Sequence, residues 1–403
     1  MTGAGGKTVR PADRAAVLAS SRNLKMARSA HAYVRGNTRQ FYEWLQAQAP
    51  ESLPAGPAIW ICGDCHLGNL GPIASVNGGV EIQIRDLDQT VIGNPAHDLI
   101  RLGLSLAMAA RGSDLPGVTT AVMLEQLMEG YCAGLAGTPD EQAGLPAPVH
   151  LVMKDALRRS WKHLARYRFD AVAPSVPIGK RFWKLLPEEK GAIARLFEKK
   201  SVSRLATLLG SRDDDAPVSV LDAAYWMKGC SSLGLLRYAV VLGVGTPGGD
   251  DLQYCLVDIK QAVPAAAPAY KDARMPKDHA MRVVDGARHL SPHLGDRMLA
   301  AELLDRPVFI RELLPQDLKL EIERLTRAEA TEVAAFLGGV VGKAHARQMD
   351  DATASGWGSE LRKGRSKTLD APGWLWSSIV DLVASHEAGY LQHCRRYALR
   401  EAA

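Results

Sequence analysis

Apolar residues at helical spacing dominate the first half of the chain. Residues 12–49 carry apolar positions three and four apart with few breakers, which predicts helix over this stretch. DLIRLGLSLAMAA at 98–110 has the same spacing and predicts a further helix, and the pattern stays mostly helical to about residue 210. Between them, the breaker-rich segment PESLPAGP at 50–57 predicts a linker.

Two short segments in this half have the pattern of strands instead. AIWIC at 58–62 is an apolar run that ends in a glycine-containing loop, which predicts a buried strand. VEIQIRDLD at 80–88 alternates after the Asn-Gly-Gly turn at 77–79, which predicts a second strand or the arm of a hairpin. A small β core is therefore expected among the helices.

The second half of the chain begins with a β-rich block. A polar, proline-containing segment at 211–219 predicts a boundary. Beyond it, residues 235–244 and 252–262 predict a hairpin around the glycine-rich turn at 246–251, and residues 306–314 predict another strand.

Helical patterns return at 278–290, 330–349 and 373–400. Helices, a small β core, helices, a β-rich block and helices again predict an α+β fold with at least two lobes. The predicted domains are a mainly helical lobe at 1–215, a β-rich lobe at 216–325, and helices at 326–403 that return to the first lobe.

Composition and charge narrow the classes of partner. The chain has 403 residues, of which 47% are apolar and 23% charged, which fits a soluble globular protein. The net charge of +5 is too mild to indicate nucleic acid and is compatible with an anionic ligand. Without a secretory h-region or a membrane-length apolar run, we expect a cytoplasmic protein with no membrane partner and with reduced cysteines.

The stretch WICGDCHLGNLG at 60–71 allows three interpretations. Cys62-x-x-Cys65-His66 has the spacing of a c-type haem attachment site, and the cysteine pair alone has that of a redox pair or half a zinc site. The other four cysteines are scattered and supply no second ligand pair. We therefore interpret both cysteines as small, partly buried fillers and turn to the third interpretation, which rests on Asp64 and Asn69.

Oxygen-bearing side chains form a constellation in this region. Asp64 and Asn69 lie five apart in one loop, while Asp86 and Asp88 lie two apart at a strand end and so point to one face. Carboxylate and amide oxygens suit Mg²⁺, which leaves coordination positions for phosphate oxygens. The pattern predicts a metal–phosphate site with a catalytic carboxylate. Asp98 follows a Gly-Asn-Pro turn, where it is expected to cap the next helix.

The β-rich block supplies candidate phosphate contacts. Its loop KGCSSLG at 228–234 includes Gly229, Ser231, Ser232 and Gly234, whose backbone N–H groups could approach phosphates, although such a loop is also typical of an ordinary turn. Lys260 lies in the otherwise apolar strand LVDIKQA, where a lysine needs either an anionic partner or a solvent-facing edge.

These motifs carry a resemblance to a known class of enzyme. Asp64-x4-Asn69, then Asp86-Leu-Asp88, then Gly93-Asn-Pro-Ala-His-Asp98 resemble the catalytic and metal loops of aminoglycoside-phosphotransferase-like kinases, where the pattern is roughly HGDxHxxN, IDF/W-(D/E) and GDPxxDL. The glycine-rich strand pair with Lys260 resembles a kinase nucleotide lobe, but the order is reversed. The sequence also departs at Cys62, where these kinases have histidine, and in the glycine-rich loop, where serine replaces a middle glycine.

This reversed order resembles the bacterial domain of unknown function 2252 family. The shared segments, spread over residues 22–350, are CGDCHLGNLG, AYVRG at 32–36, RVVDGAR at 282–288, FIRELL at 309–314 and GKAHAR at 342–347. The resemblance implies a circularly permuted, protein-kinase-like two-lobed fold, with the catalytic lobe first and the nucleotide lobe later. Permutation is tolerated when the original ends lie close together. The helix ending in KAHAR would occupy the place that precedes the catalytic loop in an ordinary kinase.

The resemblance implies roles for the acidic residues. Asp64 would accept the proton of the substrate hydroxyl or orient that hydroxyl, and Asn69 and Asp86 would hold Mg²⁺, with Asp88 as a second ligand. His66 would brace the loop, and Asp98 would cap its helix and hydrogen-bond the catalytic loop.

It also implies roles in nucleotide binding. Lys260 would pair with the phosphates of ATP, and the 229–234 loop would cover them. Asp285 is the candidate acidic partner of Lys260, although a solvated helix face explains it equally well. Arg35 and Arg311 are candidate anion contacts, and ordinary surface or ion-pair roles remain alternatives for both.

The leading hypothesis is an ATP- and Mg²⁺-dependent phosphotransferase whose partners are a nucleotide and a small hydroxyl-bearing acceptor. A nucleotide-binding pseudokinase or interaction module is one alternative, and a nucleotidyl transferase on the same fold is another. A metal or redox protein built on Cys62 and Cys65 is the third.

Overall fold

The computed structural model is a mixed α and β protein and describes residues 8–137, 144–159, 175–230, 232–246, 249, 252–318, 325–363 and 371–397. Its α-helices are, in chain order, α1 Arg14–Val17, α2 Ala19–Ala27, α3 Ala30–Gly36, α4 Thr38–Gln46, α5 Ala96–Gly112, α6 Gly117–Leu135, α7 Ala147–Arg158, α8 Pro187–Glu198, α9 Lys200–Ser203, α10 His279–Leu290, α11 Pro292–Gly295, α12 Arg327–Ala346, α13 Asp351–Arg362 and α14 Gly373–Tyr397. Its strands are β1 Ile59–Ile61, β2 Leu70–Ala74, β3 Val80–Ile84, β4 Val91–Gly93, β5 Phe182–Trp183, β6 Val218–Trp226, β7 Arg237–Val244, β8 Gln253–Gln261, β9 Met298–Leu303 and β10 Arg306–Glu312. Among the described helices, none combines the length and apolar character needed to cross a bilayer.

The helical stretch predicted at 12–49 is present as four separate helices, α1 to α4. Ser29 accepts a hydrogen bond from the N–H of Ala32, and Asn37 accepts one from the N–H of Gln40. Serine and asparagine are favoured at N-cap positions, so the chain ends one helix and begins the next at each of them. These breaks fold the segment back on itself.

The largest sheet has six antiparallel strands in the order β5-β6-β7-β8-β10-β9. The predicted hairpin is its centre, with β7 and β8 paired so that Arg237 lies opposite Lys260. Strands β6 and β9 were not predicted, and β5 joins the sheet although it lies before the predicted boundary at 215. Helix α10 connects β8 to β9 and packs against β9, β10 and β1.

Two small pairs of antiparallel strands adjoin the loops that carry Asp64 and Asp86. β1 confirms the strand predicted at 58–62 and pairs with β4, while β2 pairs with β3. β3 ends at Ile84, so Asp86 and Asp88 lie in the loop that follows the strand. The N–H of Arg85 donates to the carbonyl of Asn69 at 2.8 Å, which joins this loop to the one carrying Asp64.

Helices α6 and α12 approach closely enough for backbone contact. A β-carbon at Gly130 would lie 1.8 Å from the carbonyl oxygen of Ala335, and one at Gly338 would lie 2.2 Å from that of Leu127. Only glycine fits at these positions. The close packing also brings Tyr131 on α6 within 2.9 Å of a ring nitrogen of His345 on α12.

A buried ion pair attaches the N-terminal segment to the sheet. Arg14 Nη2 lies 2.7 Å from Glu189 Oε1, and both side chains are at most 1% exposed. Tyr238 on β7 donates to the same carboxylate at 2.7 Å, and the Arg14 guanidinium lies over the ring of Tyr225 at 4.0 Å.

Replacing Arg14 by alanine is expected to lower the free energy of unfolding by about 3–5 kcal/mol, because it leaves the Glu189 carboxylate buried without its counter-charge. Chemical denaturation of the wild type and the variant measures this difference. Arg10→Ala, at an exposed neighbouring position, is the control and should be near neutral. A loss below about 1 kcal/mol for Arg14→Ala, the range typical of exposed pairs, would show that the pair contributes little.

Candidate functional site

The loop at 62–69 is held in place by a buried aspartate. Asp98 accepts hydrogen bonds from the backbone N–H groups of Cys62 at 2.7 Å and Gly63 at 2.9 Å. Its predicted N-cap position is wrong, because α5 begins at Ala96 with Pro95 at the N-cap. The side chain is committed to the loop instead, which fixes the backbone just before Asp64.

A buried polar chain supports Asp98 from the other side. His345 Nε2 lies 3.2 Å from Asp98 Oδ2, the Tyr131 hydroxyl lies 2.9 Å from His345 Nδ1, and Trp357 Nε1 donates to that hydroxyl at 2.9 Å. No sequence pattern linked these residues, which come from α12, α6 and α13. The segment GKAHAR contained the one usable signal, because His345 lies on an otherwise apolar helix face.

Asp64 is held by a buried arginine and remains partly exposed. Arg101 Nε donates to Asp64 Oδ1 at 2.9 Å, and the Asp64 side chain is 17% exposed while Arg101 is fully buried. Burial raises the pKa of Asp64, and Arg101 together with Thr38 opposes this rise. His66 Nε2 lies 3.9 Å from Asp64 Oδ2, and burial followed by the charge of Arg101 holds the pKa of His66 well below its usual range.

Asn69 connects the two acidic loops. Its Nδ2 donates to the carbonyl of Asp64 at 2.9 Å and to the carbonyl of Asp86 at 3.3 Å. Because the amide nitrogen is used in this way, Oδ1 is the atom that can serve as an acceptor or as a metal ligand.

Lys260 meets both carboxylates of the second loop. Its Nζ lies 3.5 Å from Asp86 Oδ2 and hydrogen-bonds Asp88 Oδ2. Burial alone would raise the pKa of Asp86, but Lys260 and a hydrogen bond with Asp88 hold it well below its usual range. Burial and the neighbouring Asp86 charge raise the pKa of Asp88. Two adjacent carboxylates with opposed shifts indicate a site that one ammonium does not fully neutralise.

This donor set could hold a divalent cation. Asp88 Oδ1 is buried and has no hydrogen-bond partner among the described residues. Together with Asp86 and the Oδ1 of Asn69, it offers the hard oxygen ligands that Mg²⁺ prefers.

Two predicted anion or cation contacts are used elsewhere. Asp285 does not pair with Lys260 but accepts from Arg288 at 3.3 Å on its own helix. This corrects the predicted partner, since the lysine is paired with the acidic loop instead. Arg311 Nη2 lies 3.3 Å from Asp258 Oδ2, so Arg311 forms an internal ion pair rather than an open anion contact.

Helix α10 holds the acidic loop through an arginine that the sequence did not reveal. Arg282 Nη2 donates to the carbonyls of Asp88 at 2.9 Å and Val263 at 3.0 Å, and Nη1 donates to that of Thr90. The helix therefore fixes the backbone of the acidic loop and does not supply the acidic partner of Lys260.

The sheet face around Lys260 carries a second buried pair. Arg237, opposite Lys260 on β7, binds Asp258 through two hydrogen bonds of 3.0 and 2.6 Å. Asp258 is two residues before Lys260 and therefore shares its face. Bidentate pairing of this kind fixes both side chains next to the lysine.

The glycine-rich loop connects β6 to β7. Gly229 and Gly234 have φ of +99° and +104°, which L side chains rarely adopt. A β-carbon at Gly234 would also lie 2.5 Å from the backbone of Ala15, and one at Gly229 would lie 2.6 Å from Ser232 Oγ. Ser231 lies outside the described residues. Local geometry thus explains both glycines, and contact with phosphates stays a prediction.

Cys62 and Cys65 remain the basis of the alternative metal site. Ligand atoms of these cysteines and Asp98 lie within 4.8 Å of one another, all buried. A hydrogen bond with Cys65 and burial raise the pKa of Cys62 well above its usual range; the same hydrogen bond lowers that of Cys65, but burial outweighs it. Thiols rather than thiolates are favoured, and Asp98 is already used by the loop. The geometry supports the interpretation of both cysteines as core residues.

We expect the purified protein to carry no stoichiometric zinc or haem, and Cys62→Ala/Cys65→Ala to leave metal content unchanged. Elemental analysis of both proteins tests this, with an absorbance spectrum for haem. Zinc at one equivalent in the wild type and its absence in the double variant would restore the metal-site interpretation.

Two cavities lie away from these residues. One, of about 710 Å³, lies between α5, α6 and α14, and the other, of about 700 Å³, adjoins the segment after β10. Neither is lined by Asp64, Asp86, Asp88 or Lys260. The candidate site is therefore defined by the chemistry of its side chains.

Comparison with known proteins gives a family. Residues 14–396 match the family described as "Uncharacterized protein conserved in bacteria (DUF2252)". No curated protein and no solved structure matches the chain. Because the match covers nearly the whole chain, this protein belongs to the DUF2252 family.

Proposed function

We propose that the protein is an ATP- and Mg²⁺-dependent phosphotransferase that acts on a small hydroxyl-bearing substrate. One observation carries the proposal: Asn69 bonds the backbone of both Asp64 and Asp86, while Lys260, 174 residues from Asp86, pairs with that same acidic loop. Phosphoryl transfer depends mainly on positioning and charge neutralisation, so base, metal ligands and phosphate-binding lysine must surround one phosphate.

Each residue of this group has a proposed role. Asp64, with Oδ1 held by Arg101 and a side chain that is 17% exposed, accepts or orients the hydroxyl proton of the acceptor. Lys260 pairs with nucleotide phosphates once its contacts to the acidic loop are exchanged for them. Asn69, Asp86 and Asp88 would hold Mg²⁺, which when bound would neutralise phosphate charge.

The order of strands supports a permuted kinase-like arrangement. In protein kinases the glycine-rich loop covers the phosphates and the lysine lies on the third strand. Here the loop joins β6 to β7, and Lys260 lies on β8, the next strand. The acidic partner on the following helix that kinases use is replaced by the contacts of Lys260 with Asp86 and Asp88.

The junction that a permutation requires is also supported. Gln348, just after α12, accepts from the N–H of Trp60 at 2.9 Å and donates to its carbonyl at 3.0 Å. The end of α12 therefore adjoins β1, the strand that leads into the Asp64 loop. A chain joined at this point would have the ordinary kinase order.

An apolar strip beside Lys260 is the proposed surface for the base. Ala239, Val241 and Leu256 share the sheet face of Lys260, where Val176 and Phe182 now pack against them. A nucleotide base bound on this strip would have to displace the contacts of Val176 and Phe182.

A screen for ATP consumption across small hydroxyl-bearing metabolites, read by product mass, tests the proposed function. A product heavier by one phosphoryl group supports it, and one heavier by a nucleotidyl group identifies the alternative transferase. ATP binding without turnover on any acceptor would favour the pseudokinase.

A further inference from the structure

Arg35 lies where the catalytic loop and the glycine-rich loop come together. A β-carbon at Gly68, between Asp64 and Asn69, would lie 3.0 Å from Arg35 Cζ, so the guanidinium rests against the loop backbone. The next residue, Gly36, would carry a β-carbon 2.9 Å from Cys230 Sγ in the glycine-rich loop. The end of α3 thus touches both loops.

The guanidinium of Arg35 has no hydrogen bond or ion pair with the described part of the chain, although the residue is partly buried. Asp64, in the adjoining loop, is already paired with Arg101. Arginine is normally matched by a carboxylate or a phosphate, and the described part of the chain supplies neither to Arg35.

Two histidines near Arg35 each have a buried ring nitrogen without a hydrogen-bond partner among the described residues. His66 is 4% exposed, and its Nδ1 has no partner among the described residues. His31 Nδ1 is likewise buried without a partner in the described chain. His31 precedes Arg35 by four residues on α3, which places both on one helix face.

The charges of the two arginines act on both histidines. Burial, then Arg35 and Arg101, lower the pKa of His31 to about 4. Burial, then Arg101 and Arg35, lower the pKa of His66. Both rings are therefore neutral and can each donate one N–H beside a guanidinium that lacks a counter-ion.

We propose that Arg35, His31 and His66 form a subsite for a phosphoryl group next to Asp64. The guanidinium fork and two ring N–H groups together supply several hydrogen-bond donors, which suits a phosphate because its oxygens accept several hydrogen bonds at once. The inference rests on the proposed function for its purpose, since the phosphate belongs either to the nucleotide or to the acceptor. Its binding test needs neither of them.

Titration calorimetry with inorganic phosphate, in nucleotide-free and metal-free buffer at fixed ionic strength, tests the subsite. We expect saturable binding to the wild type, at least tenfold weaker binding to Arg35→Met, and intermediate binding to Arg35→Lys, which keeps the charge but loses the fork. Arg39→Met is the matched control, because Arg39 is 85% exposed and paired with Glu43. Equal melting temperatures confirm folding.

Absence of phosphate binding to the wild type, or equal affinity in Arg35→Met, would overturn the subsite whatever the nucleotide results. Phosphate binding through Arg35 without any ATP binding would keep the subsite and remove the proposed function. Two further arms identify the source of the phosphate. If Arg35→Met binds a non-hydrolysable ATP analogue more weakly than the wild type but binds ADP equally well, the phosphate belongs to the nucleotide. If Arg35→Met binds both nucleotides as the wild type does but has a raised KM for the acceptor, the phosphate belongs to the acceptor.

Discussion

Asp64→Asn is expected to slow phosphoryl transfer by about 10²–10⁴-fold, the range for loss of a general base, while leaving ATP affinity unchanged. Asparagine keeps an oxygen for the 2.9 Å hydrogen bond from Arg101 and loses only the charge. Steady-state turnover and calorimetric ATP binding, measured on the same preparations, separate the two effects. Asp272→Asn, at an exposed position, is the control.

The pH profile gives a second view of Asp64. A base acts in its ionised form, and burial raises the pKa of this carboxyl. The acid limb of the rate profile should therefore lie at higher pH than for an ordinary aspartate, and it should disappear in the asparagine variant. Unchanged turnover in Asp64→Asn would exclude Asp64 as the base, and equal loss of ATP binding would place it in the binding site instead.

Lys260→Met is expected to weaken ATP binding by about 10–100-fold, since a charge-assisted hydrogen bond contributes roughly 1.5–3 kcal/mol. The lysine is 5% exposed and its ammonium lies against the acidic loop, where it would exchange these contacts for the nucleotide phosphates. Methionine has similar length and removes only the charge.

The comparison for Lys260 is Lys363→Met, which changes an exposed lysine paired with Glu360 and should not alter ATP affinity. A thermal melt of each variant checks that Lys363→Met and Lys260→Met are both folded. Equal ATP affinity in the wild type and Lys260→Met would show that Lys260 does not bind the nucleotide phosphates, even if the acidic loop proved essential.

The residues of the candidate site were predicted because they sit in short local motifs. Asp64 with Asn69 and Asp86 with Asp88 are each a few residues apart, so loop chemistry reads directly from the sequence. Their partners were not predicted, because Arg101 and Arg282 reach them across 37 and 194 residues. Lys260 and Asp86 are likewise 174 residues apart, so Asp285, which is nearer in sequence, was predicted as the partner of Lys260 instead of the acidic loop.

Two of the strands that were not predicted have a local pattern that favours something else. β2 reads LGPIA, with glycine and proline inside it, and β9 reads MLAAEL, which consists mostly of good helix formers. Pairing of β9 with β10 overrides that preference. The hairpin of β7 and β8 was predicted because two apolar runs flank a glycine-rich turn, so local pattern and turn agree.

Calorimetric titration of ATP into the wild type and Asp86→Asn, each with Mg²⁺ and with a chelator, tests most directly whether the protein binds ATP together with Mg²⁺ through the acidic loop. We expect one saturable site in the wild type that tightens with Mg²⁺, and loss of this Mg²⁺ effect in Asp86→Asn. ATP that fails to bind the wild type in Mg²⁺, or that binds both proteins equally with and without the metal, would contradict it.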